Sequence, residues 1–394
     1  MKIGIDVTML VYAGSGVANY TFNLVKNLLK IDKKNEYRLF YSSFRRPKNF
    51  YYLDELKKIG GKIYKYPFPP SLLKIIWGKL NIIPIELFTG KVDVFFFSDF
   101  LRPPLLTGTK GITTIHDLTW KLFPEYHTQE VISAHEKKLE KTIKYQDEII
   151  ADSQSTKQDL LRLYPQIDLN KVHVIYPGIG EKFKPIKDKE KIKKVLQKYN
   201  IFPPNFLLYV GAIEPRKNLE TAIKVFYQLI NSEIASSSSP PRDDMSLRAK
   251  RNNLYSYWQF LIVGRAGWKN EKVFQKVKEL GLENKVKFIG YVDDNDLPYF
   301  YNGCRVFVYL SKYEGFGLPP VEAASCGKMV LMYENSSLKE IFESGYPFAK
   351  EGEELKTLKE ILEGEYDIKK YLKEFSWKNY CNQFLNIINR LFKI

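Results

Sequence analysis

The sequence predicts an α/β protein of two doubly wound, Rossmann-like domains, and three observations support this prediction. Short apolar runs alternate with helical patterns, which is typical of parallel βαβ units. The alternation breaks once, near Pro177-Gly178, and then starts again. The length of 394 residues fits two or three domains of about 150 residues. Ligands of such sheets bind at the carboxyl ends of the strands. We therefore expect the two domains to face each other across a cleft.

The first domain is predicted to span residues 1–180. It begins with a buried strand over Lys2–Val7, a glycine turn at Gly14-Ser15-Gly16 and a helix over Val17–Lys30, where apolar residues repeat at helical spacing. Apolar runs predict the next strands at Tyr37–Tyr41, Val92–Phe97, Gly111–Ile115, Glu148–Ala151 and Val172–Tyr176. Helical patterns over Val131–Tyr145 and Ser155–Leu163 separate the last of these strands.

The second domain is predicted to span residues 181–375. It opens with a lysine-dense stretch, 182–200, which we interpret as an exposed helix between the domains. Its strands are predicted at Phe206–Val210, Gln259–Val263, Val286–Ile289, Val306–Leu310 and Met329–Met332. A polar segment with two prolines, Ser236–Asn253, is expected to be a mobile surface insertion. Residues 376–394 are expected to form a helix that crosses back to the first domain.

Composition and charge limit the possible functions. Hydrophobic residues make up 44% of the chain, which excludes wholesale disorder. The net charge of +16 favours acidic partners: nucleic acid, an anionic membrane face or phosphorylated small molecules. Three widely spaced cysteines exclude a disulfide framework and a thiolate zinc site, and they fit a reducing compartment. Because neither a signal peptide nor a membrane-spanning run is apparent, we expect a cytoplasmic protein.

Two adjacent cations, Arg216 and Lys217, give the strongest local signal. They follow the strand Phe206–Val210 and precede a helix that starts near Leu219. Cations at the carboxyl end of a strand, beside a helix start, can bind a diphosphate and stabilise it as a leaving group without a metal. The alternative is a pair of solvated charges, which the helix dipole disfavours at that end.

Two glutamates flank a glycine turn after the strand Val306–Leu310. The turn is Gly315-Phe316-Gly317-Leu318, and Pro319-Pro320 suit the opening of a helix, so the backbone N–H groups of Phe316–Leu318 are candidate anion donors. Glu322, expected in the first helical turn, can accept hydrogen bonds from ribose hydroxyls, and Glu314 can bind a sugar ring. The alternatives are dipole compensation by Glu322 and a surface acid at Glu314.

The motifs together resemble the retaining family-4 glycosyltransferases of the GT-B fold, in particular their mannosyltransferase-type branch. The resemblance spans nearly the whole chain. It rests on the Arg216-Lys217-Asn218 segment and on two glutamates, Glu314 and Glu322, that are separated by seven residues beginning Gly-Phe-Gly-Leu-Pro. Further matching segments are Gly14–Tyr20, Thr114–Leu118, Phe123–His127, Ala151–Thr156 and Val174–Gly178.

The resemblance implies a role for each matching residue. Arg216 and Lys217 would hold the donor diphosphate and Glu322 the ribose, while Glu314 and the backbone at Phe316, Gly317 and Leu318 would grip the sugar and the phosphates. The loop at Gly16 would close on the diphosphate from the other domain. His116, next to Asp117, would line the cleft and orient the donor sugar, although an isolated histidine at a strand end is often structural.

The implied reaction is transfer of a hexose from a nucleotide diphosphate sugar to a glycan or lipid-linked acceptor, with retention of the anomeric configuration and without a metal or other cofactor. Mannose from GDP-mannose is the first expectation, and UDP-sugar donors are the alternative. The charge also suggests a nucleic-acid-binding protein, but no nucleic-acid module is apparent, so no such partner is expected; a non-catalytic nucleotide-sugar sensor is the other alternative. Asp294 and Asp296 have the spacing of a metal motif, yet helix capping explains them better.

A short amphipathic segment raises the question of membrane contact. Ser71–Leu80 combines apolar residues with Lys74 and Lys79. We favour a helix packed on the first sheet over one that lies on a membrane. The high positive charge nevertheless makes peripheral binding to an anionic inner membrane face an expectation.

Overall fold

The computed structural model describes residues 1–12, 14–44, 51–98, 100–202, 205–232, 255, 257–267 and 269–393. The expected insertion at 236–253 lies outside the described residues. The chain divides into two compact units: an N-terminal unit of Met1–Gly180 with Glu374–Ile394, and a C-terminal unit of Glu181–Lys373. Each is an α/β unit around a parallel sheet, and each is described by itself.

The described residues of the N-terminal unit form a seven-stranded parallel sheet in the order β3-β2-β1-β4-β5-β6-β7. The strands are β1 Lys2–Asp6, β2 Glu36–Ser42, β3 Lys62–Tyr66, β4 Val94–Phe97, β5 Lys110–Ile115, β6 Glu148–Ala151 and β7 Val172–Val174. Strands β4 and β6 are buried along their whole length, as expected for a sheet covered by helices on both faces.

The helices predicted at Val17–Lys30, Val131–Tyr145 and Ser155–Leu163 lie close to observed ones, and the N-terminal unit has further helices that the sequence analysis did not predict. Its first helices are α1 Gly16–Ile31, α2 Tyr52–Lys58, α3 Pro70–Leu73, α4 Glu86–Thr89, α5 Thr119–Leu122, α6 Gln129–Lys144 and α7 Gln154–Leu163. Short 3₁₀ turns span Thr8–Val11, Pro124–Tyr126 and Leu169–Lys171, and a π-helix spans Lys74–Leu80. Ser15 caps the N-terminus of α1: its hydroxyl accepts a hydrogen bond from the Ala18 N–H at 3.2 Å.

The C-terminal unit has a smaller parallel sheet in the order β10-β9-β8-β11-β12. Its strands are β8 Phe206–Val210, β9 Gln259–Val263, β10 Val286–Gly290, β11 Val306–Tyr309 and β12 Val330–Met332. Its described helices are α8 Lys189–Gln197, α9 Leu219–Asn231, α10 Glu271–Glu279, α11 Leu297–Gly303, α12 Leu318–Ser325, α13 Leu338–Ile341 and α14 Glu354–Glu363. Two 3₁₀ turns span Pro215–Lys217 and Ile368–Lys370.

The last helix, α15 Trp377–Leu391, belongs to the N-terminal unit although it follows the C-terminal unit in the sequence. It packs against α1, and Trp377, Tyr380 and Phe384 are buried in the same hydrophobic cluster as Tyr20 and Leu24. The chain therefore passes from the first unit to the second and returns.

The segment Ser71–Leu80 lies on the N-terminal unit with one side buried. Leu73 and Trp77 are buried in a core cluster against the sheet, so packing on the sheet is correct for these residues. Leu72, Ile75 and Leu80 are exposed. In the π-helix, residues five apart stack above one another, which places Ile75 and Leu80 on one outer face. None of the helices in the described ranges combines the length and the apolar character needed to cross a bilayer.

Candidate functional site

The predicted cations lie at the carboxyl end of β8. Arg216 and Lys217 occupy the 3₁₀ turn Pro215–Lys217, and Asn218, with a positive φ of 54°, connects this turn to α9. The backbone carbonyl of Arg216 accepts hydrogen bonds from the Lys312 N–H at 3.0 Å and from the Ser311 hydroxyl at 3.3 Å. The turn is therefore fixed to the segment that follows β11, the neighbouring strand in the sheet.

Two carboxylates neutralise the two cations. The Arg216 guanidinium lies 2.7 Å from an oxygen of Glu214 and 3.1 Å from Glu314. The Lys217 ammonium donates at 2.6 Å to Glu314 and at 2.6 Å to the Tyr309 hydroxyl. Lys217, Glu214 and Glu314 are all buried. The structure thus brings Arg216, Lys217 and Glu314 together in one ion cluster, which also includes Glu214.

The pKa values in the cluster follow from burial and from the opposite charges. Burial alone would raise the pKa of Glu314, but the charges of Lys217 and Arg216 hold this pKa below its ordinary value. For Lys217, burial and the charge of Arg216 lower the pKa, and the two glutamates oppose this shift in part. Glu314 is therefore an ionised carboxylate, suited to accept hydrogen bonds and to pair with cations.

Gly317 forms the turn before α12 because only glycine fits there without strain. Its φ is 89°, and a Cβ at this position would lie 2.9 Å from the Leu338 side chain. The hydroxyl of Ser337 donates to the carbonyls of Glu314 and Phe316 at 3.1 and 2.9 Å, which fixes the turn from the other side. The helix begins at Leu318, and Pro319-Pro320 carry no N–H, so the N–H donors that precede the prolines belong to the turn itself.

Glu322 lies just beyond the first turn of α12, whereas the sequence predicts it within that turn. The helix starts at Leu318, which makes Glu322 its fifth residue, and the first turn holds no acidic residue. Compensation of the helix dipole therefore does not explain this glutamate, because the dipole effect fades beyond the first turn. Burial raises the pKa of Glu322 to about 7, although the Tyr301 hydroxyl donates to its carboxylate at 2.8 Å.

The other predicted catalytic residue, His116, belongs to the N-terminal unit. It follows β5 directly, and its Nδ1 lies 2.6 Å from Oδ2 of Asp152, which follows β6. The expected neighbour, Asp117, has a local role: it accepts hydrogen bonds from the N–H and the hydroxyl of Thr119 at 3.0 and 2.6 Å. The residue that holds the His116 ring is therefore Asp152, which the sequence analysis did not single out.

Gly16 is the first residue of α1, and no atom lies within 4 Å of where its Cβ would be. Packing of this unit therefore does not require a glycine there. Its neighbour along the helix, Tyr20, packs edge-on against the His116 ring at a centroid distance of 4.6 Å. The hydroxyl of Tyr20 is hydrogen-bonded to Thr114 at 2.8 Å and to the Tyr380 hydroxyl of α15.

Sequence reasoning missed Glu214, Asp152 and Tyr309 as parts of these clusters. Glu214 stands two residues before Arg216, and Asp152 stands directly after a strand beside β5, so the positions of both were available as a signal. For Tyr309 there was no signal, because a tyrosine in a buried strand is indistinguishable from core. Gly16 and His116 lie in one unit, and the other predicted site residues lie in the other.

Among the described residues, Asp294 and Asp296 belong to no metal centre, and the side chain of Asp296 does not cap α11. Asp296 occupies the position before α11, but its side chain accepts from the Tyr199 hydroxyl at 2.9 Å and pairs with Lys198 instead of capping the helix. The capping interpretation was therefore wrong in detail. Within the described ranges, no three histidine, cysteine, aspartate or glutamate side chains are placed to bind one ion.

Comparison with known proteins gives two family matches. The family described as Glycosyl transferases group 1 matches residues 188–374, and Glycosyltransferase Family 4 matches residues 14–182. The O-antigen chain mannosyltransferase B of Escherichia coli is 26% identical over 86% of this chain and 84% of its own length. The serotype-specific mannosyltransferase WbdA of Escherichia coli is 32% identical over 50% of this chain, which corresponds to 22% of WbdA.

Solved structures agree with the fold. Sucrose-phosphate synthase from Thermosynechococcus elongatus superimposes with a TM-score of 0.69 at 16% identity, covering 100% of this chain and 99% of that one. Alr3699/HepE from Anabaena, solved in complex with UDP and glucose, gives a TM-score of 0.67 at 16% identity over 98% of this chain and 99% of that one. At these identities the likeness establishes the architecture alone, which is that of GT-B glycosyltransferases.

Proposed function

The chain belongs to the family-4 glycosyltransferases of the GT-B fold, and from this we propose that it transfers a hexose from a nucleotide diphosphate sugar to a glycan or lipid-linked acceptor, with retention of the anomeric configuration. That it is a glycosyltransferase enzyme follows from the two family matches and the mannosyltransferase relatives. The donor, the stereochemistry and the roles of individual residues are the content of the proposal.

The observation that carries the proposal is the ion cluster at the carboxyl end of β8. Arg216 and Lys217 stand side by side there, and Glu314 contacts both of them. As the bond to the anomeric carbon breaks, the diphosphate gains negative charge, and fixed cations next to it lower the energy of that state. Once the diphosphate has displaced carboxylates from Arg216 and Lys217, these two cations would supply positive charge to the leaving group, and no metal is proposed.

The neighbouring residues suit the rest of a nucleotide sugar. Glu322, ionised above its pKa of about 7, would accept hydrogen bonds from the ribose hydroxyls. The turn at Phe316, Gly317 and Leu318 would offer backbone N–H groups to the phosphates, and Glu314 would bind hydroxyls of the transferred sugar. Gly16 leaves room for the diphosphate to approach the start of α1. His116 would contact the sugar.

We propose that the acceptor hydroxyl attacks the anomeric carbon from the same face from which the diphosphate departs, so that the anomeric configuration is retained. The acceptor hydroxyl bonds to the anomeric carbon as the carbon–oxygen bond to the diphosphate breaks, and a phosphate oxygen takes the hydroxyl proton. A covalent glycosyl-enzyme, as in retaining glycosidases, needs a carboxylate free to attack. Glu314 is bound by Lys217 and Arg216, so it is not assigned as a nucleophile.

Mannose from GDP-mannose is the proposed donor, because mannosyltransferases of O-antigen synthesis are among the relatives that align along most of the chain. UDP-sugars are the alternative, since HepE was solved with UDP and glucose. The acceptor is proposed to be a growing polysaccharide on the cytoplasmic side. A nucleotide-sugar sensor without activity, or a nucleic-acid-binding protein, remains as an outcome of the test below.

The test is nucleotide release by the purified chain from a panel of GDP- and UDP-sugars in EDTA, with and without candidate glycan acceptors. The variant Arg216→Ala/Glu314→Ala is the inactive control. We expect the wild type, and not the control variant, to turn over one donor. NMR of the product should show the same anomeric configuration as that of the donor. Binding of every donor without turnover would favour a sensor. Loss of activity in EDTA that manganese restores would refute metal independence.

Contact with an anionic membrane is proposed for the outer face of the π-helix. Ile75 and Leu80 are exposed there beside Lys74 and Lys79, a combination that suits insertion among anionic headgroups. Sedimentation with vesicles of anionic lipid should weaken in Ile75→Ser/Leu80→Ser. The control is Leu169→Ser, which changes an equally exposed leucine outside this helix. Equal binding by all three proteins would contradict the proposal.

A further inference from the structure

We propose that Asp152 is a positioning residue for the reaction: it holds the His116 imidazole in one orientation and one tautomer, so that Nε2 is presented to a hydroxyl of the sugar. Both residues lie in the N-terminal unit. The kinetic consequence rests on the proposed function, whereas the tautomer itself can be measured without any substrate.

The sheet brings the two side chains together. Strands β5 and β6 are parallel neighbours, and Ile115 pairs with Ala151 at their carboxyl ends. The next residue on each strand is His116 or Asp152, so the register that pairs the strands also pairs these two positions. The two residues thus lie at the carboxyl ends of adjacent strands, whose positions are more rigidly fixed than those of a loop.

The contact fixes which nitrogen carries the proton. Oδ2 of Asp152 is an acceptor when the carboxylate is ionised, and it lies 2.6 Å from Nδ1 of His116. Nδ1 must then carry the hydrogen, which leaves Nε2 of a neutral imidazole as an acceptor. A sugar hydroxyl that donates to Nε2 would be oriented without any proton leaving it.

Nε2 of His116 is an orphaned atom. It is buried, and no described residue is within hydrogen-bonding reach of it, although the ring as a whole keeps 24% of its surface exposed. Buried polar atoms in proteins nearly always have a partner, and each exception requires an explanation. A substrate hydroxyl is the explanation that the position of the ring at a strand end supports.

Neighbouring side chains hold the ring in place from a second direction. Tyr20 packs edge-on against it at 82° between the ring planes, and the Tyr20 hydroxyl is anchored by Thr114 and by Tyr380 of α15. Tyr20 prevents the ring from swinging, and Asp152 prevents it from flipping. The imidazole is thus preorganised before substrate arrives.

The charges around Asp152 determine whether its carboxyl group is ionised and can accept the hydrogen bond from His116. Burial raises the pKa of Asp152, and the nearby charges of His116 and Lys138 offset that shift while Asp117 adds to it. The Lys138 ammonium comes from α6 and donates to the Thr114 carbonyl at 2.9 Å. It places a buried positive charge near the pair, which favours the ionised carboxylate.

The first test is a measurement of the tautomer. The chain has four histidines, so ¹⁵N-labelled histidine gives few signals, and His116→Gln assigns the one of interest. At about pH 8, above the ordinary histidine pKa of about 6.5, we expect the wild type to show the form protonated at Nδ1. In Asp152→Asn we expect a mixture of the tautomers protonated at Nδ1 and at Nε2. A wild-type signal of the Nε2–H form would overturn the proposal.

The second test is a double-mutant cycle on donor turnover. Asp152→Asn should lower kcat about 10- to 100-fold, by analogy with the loss seen when the orienting partner of a metal-binding histidine is removed, with a smaller change in donor KM. In a His116→Gln background the same substitution should cost less than about twofold, because Asp152 acts through the ring. An equal loss in both backgrounds would mean that Asp152 is merely structural.

The control is Glu148→Gln, at the other end of β6. Glu148 pairs with Nε2 of His173 at 2.7 Å, so this variant also removes a carboxylate charge from a histidine pair on the same strand. It should leave the His116 signal and kcat unchanged. Thermal unfolding of every variant separates loss of fold from loss of positioning. If no donor is turned over even by the wild type, the proposed function fails and the tautomer measurement still decides the role of Asp152.

Discussion

The two clusters at the strand ends of the two units contrast in how their charges are satisfied. In the C-terminal unit, Arg216 and Lys217 are matched by Glu214 and Glu314, so the two positive and two negative charges cancel. In the N-terminal unit, His116 is bound on one side by Asp152 and leaves Nε2 without a partner among the described residues. In the first cluster every charge is paired, whereas the second has two buried polar atoms without a partner among the described residues, Nε2 of His116 and Oδ1 of Asp152.

The contrast implies different responses to a ligand. A diphosphate that enters the first cluster must compete with Glu314 and Glu214 for the cations, so that ion pairs are exchanged as it binds. The exchange would free the Glu314 oxygen that faces Arg216 to accept a hydrogen bond from a sugar hydroxyl, while Lys217 still holds the other oxygen. The His116–Asp152 pair needs no such exchange, because Nε2 has no hydrogen-bond partner to give up when a hydroxyl binds to it. Variants should therefore affect the two clusters in different ways.

The largest effect is expected from Arg216→Ala. Loss of one preorganised charge that stabilises a leaving group costs about 10²–10³-fold in kcat. We expect a loss of this size in donor turnover, with a smaller change in KM. The control is Arg305→Ala, which removes an exposed arginine just before β11, at the opposite end of the strands. Unchanged kcat in Arg216→Ala would refute the role of this cation in departure of the leaving group.

The next largest effect concerns stability. Lys217→Met leaves the buried carboxylate of Glu314 without its closest cation, and breaking a buried pair in this way costs about 3–5 kcal/mol of unfolding free energy. Adding Glu314→Gln removes the carboxylate that has lost this cation and keeps only Arg216 beside it, so the double variant should recover a large part of the loss. Urea unfolding measures both. If the double variant is less stable than Lys217→Met alone, the cluster is not coupled as described.

A smaller effect is expected from pH. Burial places the pKa of Glu322 at about 7, and ribose binding is proposed to need its ionised form. The ionised fraction rises from about one tenth at one pH unit below that value to about nine tenths at one unit above it. Donor affinity should therefore rise about ninefold over this interval, as titration calorimetry can measure.

Two variants sharpen the pH prediction. The Tyr301 hydroxyl stabilises the ionised Glu322, so Tyr301→Phe should move the midpoint to higher pH. Glu322→Gln should abolish the dependence. The sign for stability is opposite to that for binding. An acid whose pKa is raised on folding holds its proton more tightly in the folded state, so its contribution to stability is lost as pH rises through about 7. A donor affinity that falls with pH would contradict the ribose role.

Much of the fold was predictable because parallel sheets leave strong patterns. Buried strands such as Val94–Phe97 and Phe206–Val210 are continuous apolar runs, which single-sequence reasoning detects. Strand Lys62–Tyr66 was missed, since it lies at the sheet edge and two lysines interrupt its apolar residues. The start of the helix at Leu318 was close to its predicted position, but one residue was enough to move Glu322 out of the first turn.

Site residues that are adjacent in the sequence could be predicted. Contacts between residues on different strands, which only the pairing of those strands brings together, could not. Arg216 and Lys217 lie where their spacing after a strand placed them. The partner of His116, Asp152, was not predicted, because the register between β5 and β6 that brings the two residues together is not visible in the sequence. Ion pairs such as that of Lys217 with Glu314 join positions 97 residues apart, and only the folded chain reveals them.

The most direct test of the account compares binding of nucleoside diphosphates with that of the bare nucleosides by titration calorimetry. GDP with guanosine, and UDP with uridine, isolate what the diphosphate contributes. Wild type and Arg305→Ala should bind one diphosphate far more tightly than its nucleoside. In Arg216→Ala most of that preference should disappear while binding of the nucleoside stays the same. An equal preference in all three proteins would contradict the assignment of the ion cluster to the diphosphate.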